Sequence, residues 1–219
     1  MTVKIMHKLA LLSGIFFAFY SVKAQEVRGG KTEVPPVVLW GLSVYGGGIE
    51  PLAPFDFSEF WNRGVSFYLE GDLLLRNDMV LGLSFGYSRL PMDIVRFSRA
   101  KGISAAGSSI QGTAIGIGNM LLSFKGFEDY LLYRYRVGYE MGLGLYSMSN
   151  TQVYVEYWGT EVRAVSESLA SAVGAFAGIS FNFLVSETLQ FSIKSRFHYV
   201  FLPAMPHQFA DLLIGFTLL

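Results

Sequence analysis

Residues 131–146 read LLYRYRVGYEMGLGLY. Every second position is large and apolar or aromatic: Leu131, Tyr133, Tyr135, Val137, Tyr139, Met141, Leu143 and Leu145. The positions between them carry Arg134, Arg136, Gly138, Glu140, Gly142 and Gly144. Successive side chains of a strand point to opposite faces, so this period of two specifies a β-strand with one greasy face and one face of charges and glycines. Residues 189–201 repeat the pattern, with Leu189, Phe191, Ile193, Phe197, Tyr199 and Phe201 set against Gln190, Lys194, Arg196 and His198.

Six further segments read the same way. Residues 38–49 place Val38, Trp40, Leu42 and Val44 outward and Gly41, Ser43, Tyr45 and Gly47 inward; 64–75 place Val65, Phe67, Leu69 and Leu73 outward and Ser66, Tyr68, Glu70 and Asp72 inward. Residues 79–90 set Leu81, Leu83, Phe85 and Tyr87 against Gly82, Ser84, Gly86 and Ser88. Residues 110–123 are the least regular, with Ile115 and Ile117 assigned outward, opposite Gly112, Ala114, Gly116 and Gly118. Residues 171–184 and 209–219 complete a set of eight, the last with Leu212, Ile214, Phe216 and Leu218 outward. Short connections at 76–78, 125–129 and 185–187 alternate with long ones at 50–63, 91–109, 147–170 and 203–208.

Composition limits what such strands can build. Charged residues are 16% of the chain, below the roughly 25% of a soluble protein, and hydrophobic residues reach 52%. No run of apolar residues is long enough for a membrane-crossing helix, which needs about 20. Backbone groups in lipid must be paired internally, by helices or by a closed barrel. The expectation is therefore an all-β, eight-stranded, antiparallel up-and-down transmembrane β-barrel over 38–219. A soluble barrel would have the polarity reversed, whereas here the charges well inside strands share the face of Gly and Ser. Outward aromatics gather at the strand ends, Tyr133, Tyr135 and Phe191 at one rim and Tyr87, Tyr199 and Phe201 at the other, as a girdle does.

The start of the chain carries Lys4, His7 and Lys8, an apolar stretch over 9–20, and Val22-Lys23-Ala24 before Gln25. This pattern predicts a signal peptide over 1–24, cleaved near Ala24 after Sec export, then an N-terminal periplasmic segment over 25–37. Lys and Arg equal Asp and Glu at 17 each, so loss of Lys4, Lys8 and Lys23 leaves an acidic chain and speaks against nucleic acid as a partner. Cysteine is absent, which removes a disulfide framework and a lipid anchor on cysteine.

Over 38–219 the chain resembles the small outer-membrane β-barrel proteins, the OmpA-like and OmpX-like group and the barrel-domain proteins of Bacteroidota-type bacteria. The resemblance lies in the strand pattern and not in a motif, and the chain departs from it by ending on Leu219 with Phe216 as the last aromatic. It implies residence in the outer membrane of a Gram-negative bacterium, with outer-membrane lipid, lipopolysaccharide and the barrel assembly machinery as partners.

The inward charges are the most distinctive candidate site. Counted from the short-turn end, Glu70 and Asp72, Arg134 and Arg136, and Lys194 and Arg196 fall at similar depths, with Glu140 and His198 about one layer higher. An eight-stranded barrel is only wide enough for side chains to fill, and an unpaired buried charge is costly, so these groups pair across the lumen. A structural plug is the plainer reading, and a narrow polar conduit or a gate opened by exchange of the pairs is the sharper one. His198 beside Glu140 resembles a base and its orienting acid, an arrangement more often structural than catalytic.

Comparison with the lipid A deacylases, barrels carrying Ser and His on the lipid side, fails at Ser195, because Phe197 stands two residues on and His198 points inward. No catalytic residue is assigned. No phosphate loop and no metal-ligand spacing occurs, so no cofactor or metal is implied.

Two loops remain as candidate contact sites. The 50–63 loop holds Phe55, Phe57, Phe60 and Trp61, which read either as a lid folded onto the barrel mouth or as a site for a partner. The 147–170 loop keeps alternating at Val153, Val155 and Tyr157 and includes Tyr154 and Trp158, so it reads as two strands raised above the membrane with an edge for β-augmentation, or as a mobile tip. The expected function is a structural, adhesive or interaction role through the external loops. Behind it stand a narrow channel or transporter for small or hydrophobic solutes, and then a lipid-modifying enzyme.

Overall fold

The computed structural model describes residues 37–75, 80–100, 102, 108–112, 114–130, 135–149, 152–157, 160–166, 170–203 and 205–219. In chain order the strands are β1 (Val37–Ala53), β2 (Gly64–Leu75), β3 (Val80–Leu90), β4 (Ser108–Gly112), β5 (Ile115–Tyr130), β6 (Tyr135–Met148), β7 (Gln152–Tyr157), β8 (Thr160–Ser166), β9 (Ala170–Ser186), β10 (Leu189–Val200) and β11 (His207–Leu218). Eight of them close a barrel in the order β1-β2-β3-β5-β6-β9-β10-β11, each antiparallel to the next, with β11 returning to β1. The remaining strands form a small separate sheet, β4-β7-β8. Among the described residues no helix is long and apolar enough to cross a membrane.

Closure requires tilted strands and a staggered register. Followed once around, the paired residues run Val38, Leu74, Val80, Lys125, Glu140, Gly178, Arg196 and Asp211, then arrive on β1 at Ile49 and not at Val38. A row of neighbours therefore climbs the wall from the short-turn end to the long-loop end.

The polarity is inverted relative to a water-soluble protein. Leu143 and Leu212 are 62% exposed on the outside, whereas Glu70 and Arg196 are 1% exposed in the interior. Charges inside and a continuous apolar belt outside are the pattern of a barrel that crosses lipid. Aromatic rings mark both rims of the belt. Tyr135, Phe183, Phe191 and Phe216 touch in series at the short-turn end. Tyr199 and Phe201 lie 5.1 Å apart at the long-loop end, with exposed Tyr87 and Phe67 farther round. Tyr133 lies outside the described residues, as do 1–36, the segment for which a leader is expected.

Three expectations are corrected. The segment read as one strand over 110–123 is two, since β4 leaves the barrel for the small sheet and β5 begins at Ile115. Ile115 and Ile117 point inward, 6% and 0% exposed, and Met120, Leu122 and Phe124 take the outer face. The cause is the apolar long-loop end of the lumen, where isoleucines fill space that glycines would leave empty. The short turn placed at 125–129 is strand: β5 continues to Tyr130 and the connection falls at 131–134. A Lys-Gly and Glu-Asp composition resembles a turn, but Lys125 is drawn into the barrel by the acids of β2.

The long connections also hold two helices that the period-two reading does not contain. Helix α1 (Phe55–Phe60) follows β1, and α2 (Ile94–Ala100) follows β3. Asp93 starts α2 as an N-cap, its Oδ1 accepting the Arg96 N–H at 2.9 Å.

A closed, fully hydrogen-bonded barrel resists detergent until heated. On SDS gels the unboiled protein is expected to migrate apart from the boiled protein, and a single band under both conditions would contradict closure.

Candidate functional site in the barrel lumen

The lumen is layered from the short-turn end to the long-loop end. Uncharged polar side chains come first: Ser43 bonds Thr217 at 2.8 Å, and Asn182 bonds Ser180 and Ser192 at 3.0 and 2.8 Å. Next lies a cluster of charges. Beyond it an apolar core of Tyr45, Ile49, Leu90, Ile117, Phe176 and Phe209, among others, fills the lumen to the mouth.

The charged layer holds three carboxylates and three cations, all buried. Lys125 Nζ lies 2.5 Å from Glu70 Oε1 and 2.5 Å from Asp72 Oδ1. Lys194 Nζ reaches Glu70 at 2.7 Å and Glu140 at 3.5 Å. Arg196 joins Glu70 through Nη2 and donates to Glu140 through Nε at 2.5 Å and Nη2 at 3.1 Å. Its guanidinium lies 5.1 Å from the centre of the Tyr68 ring and 5.6 Å from that of Phe176, so aromatic faces supply part of what water would. Two glycines make the space. A Cβ on Gly82 would lie 2.6 Å from Lys125 Cε, and one on Gly178 would lie 3.0 Å from Glu140 Oε1.

One step nearer the long-loop end, Asp211 gathers a second set of hydrogen bonds. Its Oδ2 accepts from Tyr68 at 2.5 Å and faces His198 Nε2 at 3.1 Å, and its Oδ1 accepts from Ser66 at 3.0 Å. Tyr146 meets the other ring nitrogen of His198 at 2.9 Å, and Phe209 stacks on the imidazole at 4.6 Å.

Of the charges expected here, Glu70, Asp72, Glu140, Lys194 and Arg196 come together in one cluster and His198 sits just above it. Glu140 belongs to the cluster itself and not to a layer above, and the carboxylate beside His198 is Asp211. Arg136 is half-buried nearer the short-turn end, opposite Asp129 and Asn182, below the cluster. Arg134 lies outside the described residues. Lys125, Asp211 and Tyr146 are members of this network that the alternation alone does not assign to it. Alternation puts Asp211 between outward Ala210 and Leu212, so its inward direction is available in the sequence; Lys125 is hidden by the misplaced turn, which also shifts the depth count on β6.

Every carboxylate of the cluster is neutralised by ammonium or guanidinium, and among the described residues no group of acids and histidines could hold a metal ion. Open space at the short-turn end, between Asp72, Lys125, Asn182 and Gln190, amounts to about 20 Å³, on the order of one water. Ser195 faces outward and His198 inward, on opposite sides of the wall.

At the mouth, Phe57 of α1 is 3% exposed and packs into the apolar core, with its ring 4.6 Å from that of His207. Phe60 meets Phe97 of α2 at 5.5 Å, and half-buried Trp61 packs against the core. Phe57 is thus part of a lid and not of an exposed contact surface. Phe55 opens α1, Tyr154 and Tyr157 belong to β7, and Trp158 lies outside the described residues.

No protein-family model and no curated protein matches the chain. Solved structures similar to it include Neisserial surface protein A, at 11% identity over 81% of this chain and 95% of that one with a TM-score of 0.48. Another is Ail, the attachment invasion locus protein of Yersinia pestis, in complex with the heparin analogue sucrose octasulfate, at 14% identity over 81% and 97% with a TM-score of 0.47. A third is a major outer membrane protein from Thermus thermophilus, at 10% identity over 82% and 99% with a TM-score of 0.48. At this distance no ligand or activity passes from them to this chain.

Removing one member of a buried ion cluster leaves its partners uncompensated, at a cost of about 3–5 kcal/mol. Glu70→Gln, which strips an acid from Lys125, Lys194 and Arg196, is expected to lower the urea midpoint of the protein in lipid vesicles substantially. Glu50→Gln, which loses only the exposed pair with Arg63, is expected to leave it almost unchanged. Equal midpoints for the two variants would contradict the pairing described.

Proposed function

We propose that the chain is a non-conducting, non-enzymatic β-barrel of a Gram-negative outer membrane, and that its structural, adhesive or interaction role is carried by what stands above the barrel. The observation that supports this best is the filled lumen. Ion pairs occupy its middle, an apolar core occupies its long-loop half, and α1 lies over the mouth with Phe57 inserted. Burying that one ring is worth roughly 1.5–3 kcal/mol, so a solute entering would have to displace it as well as the charges beneath.

The long connections support the direction of the assignment. Barrels of this kind keep short turns on the periplasmic side and place longer loops outside, and here the short connections at 76–79, 131–134 and 187–188 all lie at one end. The β4-β7-β8 sheet, built from two different long connections, extends from the other. It takes no part in closing the barrel, so it is free to serve recognition. The opposed directions of Ser195 and His198 support a barrel without the hydrolase arrangement.

In planar bilayers the purified protein is expected to give no stable conductance steps, and deletion of residues 150–168 is expected to keep the heat-dependent gel shift. Regular open steps from the wild type would favour the channel reading and overturn the plug.

A further inference from the structure

Asp72 differs from the other acids of the charged layer in depending on a single cation. Lys125 Nζ lies 2.5 Å from its Oδ1, and among the described residues no other ammonium or guanidinium touches that carboxylate. Glu70 meets Lys125, Lys194 and Arg196, and Glu140 meets Lys194 and Arg196. Were Asp72 and Lys125 to lose their charges together, Glu70 and Glu140 would remain, still paired with Lys194 and Arg196. The cluster is neutral with the Asp72–Lys125 pair and neutral without it.

Lys125 Nζ also lies 2.5 Å from Glu70 Oε1. An amine is thus held against one carboxyl group with a second carboxylate within hydrogen-bond reach of its protons, all three groups buried. The wall makes room for the meeting. Strands β2 and β5 are not neighbours but flank β3, where Gly82 pairs with Asp72 on one side and Ser123 on the other. A Cβ on Gly82 would lie 2.6 Å from Lys125 Cε and 3.1 Å from Asp72 Oδ1, so the bare Gly82 backbone lets the two side chains reach each other across β3. Fixed proximity supplies the effective concentration that free amine and acid lack in solution. A neutral amide also costs less to bury than an ammonium and a carboxylate. The opening of about 20 Å³ beside Asp72 and Lys125 has room on the order of one water, the molecule that such a condensation releases.

We propose that Lys125 and Asp72 condense after folding into an isopeptide bond that ties β2 to β5 across β3, with Glu70 as the base. The ammonium passes one proton to the Asp72 carboxylate, and the freed lone pair on Nζ adds to Cγ. Glu70 takes a second proton from Nζ and returns it to the departing hydroxyl. The Nζ–Cγ bond forms, one Cγ–Oδ bond breaks and one water leaves. One positive and one negative charge vanish together, and no oxidant, reductant or cofactor takes part. The joined residues are 53 apart in the chain, so the bond closes a long loop and restricts the unfolded state.

The test refolds the full chain from inclusion bodies in urea into detergent and follows tryptic peptides by mass spectrometry over time. Trypsin does not cut after an acylated lysine. The folded wild type is therefore expected to yield 64–76 joined to 102–134, lighter than the two peptides together by one water, whereas the chain kept in urea yields 64–76 and 102–125 apart. Lys125→Arg keeps the cation and lacks the amine, and is expected to show the heat-dependent gel shift with 64–76 at its full mass. Glu70→Gln is expected to join on the order of a hundredfold more slowly than the wild type. Separate peptides from a wild type that shows the gel shift would overturn the proposal and leave the barrel reading standing. Loss of water from 64–76 in Lys125→Arg would overturn it too, and joining of Glu70→Gln at the wild-type rate would overturn the base.

Discussion

In lipid a backbone N–H or C=O has no water to bond, so every strand must have a neighbour on both sides. The sheet therefore closes, and closing with eight strands fixes a stagger and a radius. The stagger is visible in the paired row that leaves β1 at Val38 and returns at Ile49. The radius leaves a lumen that side chains can fill completely. What the inward positions hold is then decided by packing: glycine and serine where walls face each other closely, and long charged side chains only where each meets an opposite charge.

The ion cluster turns this requirement into specificity. Its six members come from β2, β5, β6 and β10, strands spread around the circumference. A slip of any of them by one residue would swing its charge from the lumen into lipid, where a cation at the midplane costs about 2–4 kcal/mol. Glu70 is the hub, touching Lys125, Lys194 and Arg196. The same cluster, with the apolar core and Phe57 beyond it, leaves the chain little inside to work with. That filled interior is why the proposed role is assigned to the structures above the barrel.

Most of the fold is legible in the sequence because alternation is a local property. On β6, Tyr139, Met141, Leu143 and Leu145 announce their face without reference to any other strand. The errors arise where the pattern depends on what lies across the lumen. Ile115 and Ile117 are apolar and inward because the mouth is apolar, a fact carried by Leu90, Phe176 and Phe209 on other strands. Lys125 sits among turn-forming residues and is a strand residue because Glu70 and Asp72 await it. The choice of ion partners is hidden for a related reason. Depth counted from each turn ignores the stagger, which groups Arg136 with residues that Glu140 in fact meets. The helices α1 and α2 are short and owe their place to rings such as Phe57 and Phe97 packing on the mouth, which no periodicity of their own announces.

The inverted polarity of a closed wall is the claim on which everything else stands. The chain contains no cysteine, so single cysteines at Met141, Leu143, Ile179 and Ile214, carrying nitroxide labels in lipid vesicles, report each position without interference. All four are expected to be accessible to oxygen, which dissolves in lipid, and shielded from a water-soluble nickel complex. Ready access of the nickel complex to these outward positions would mean that water and not lipid covers the wall, and would contradict the account.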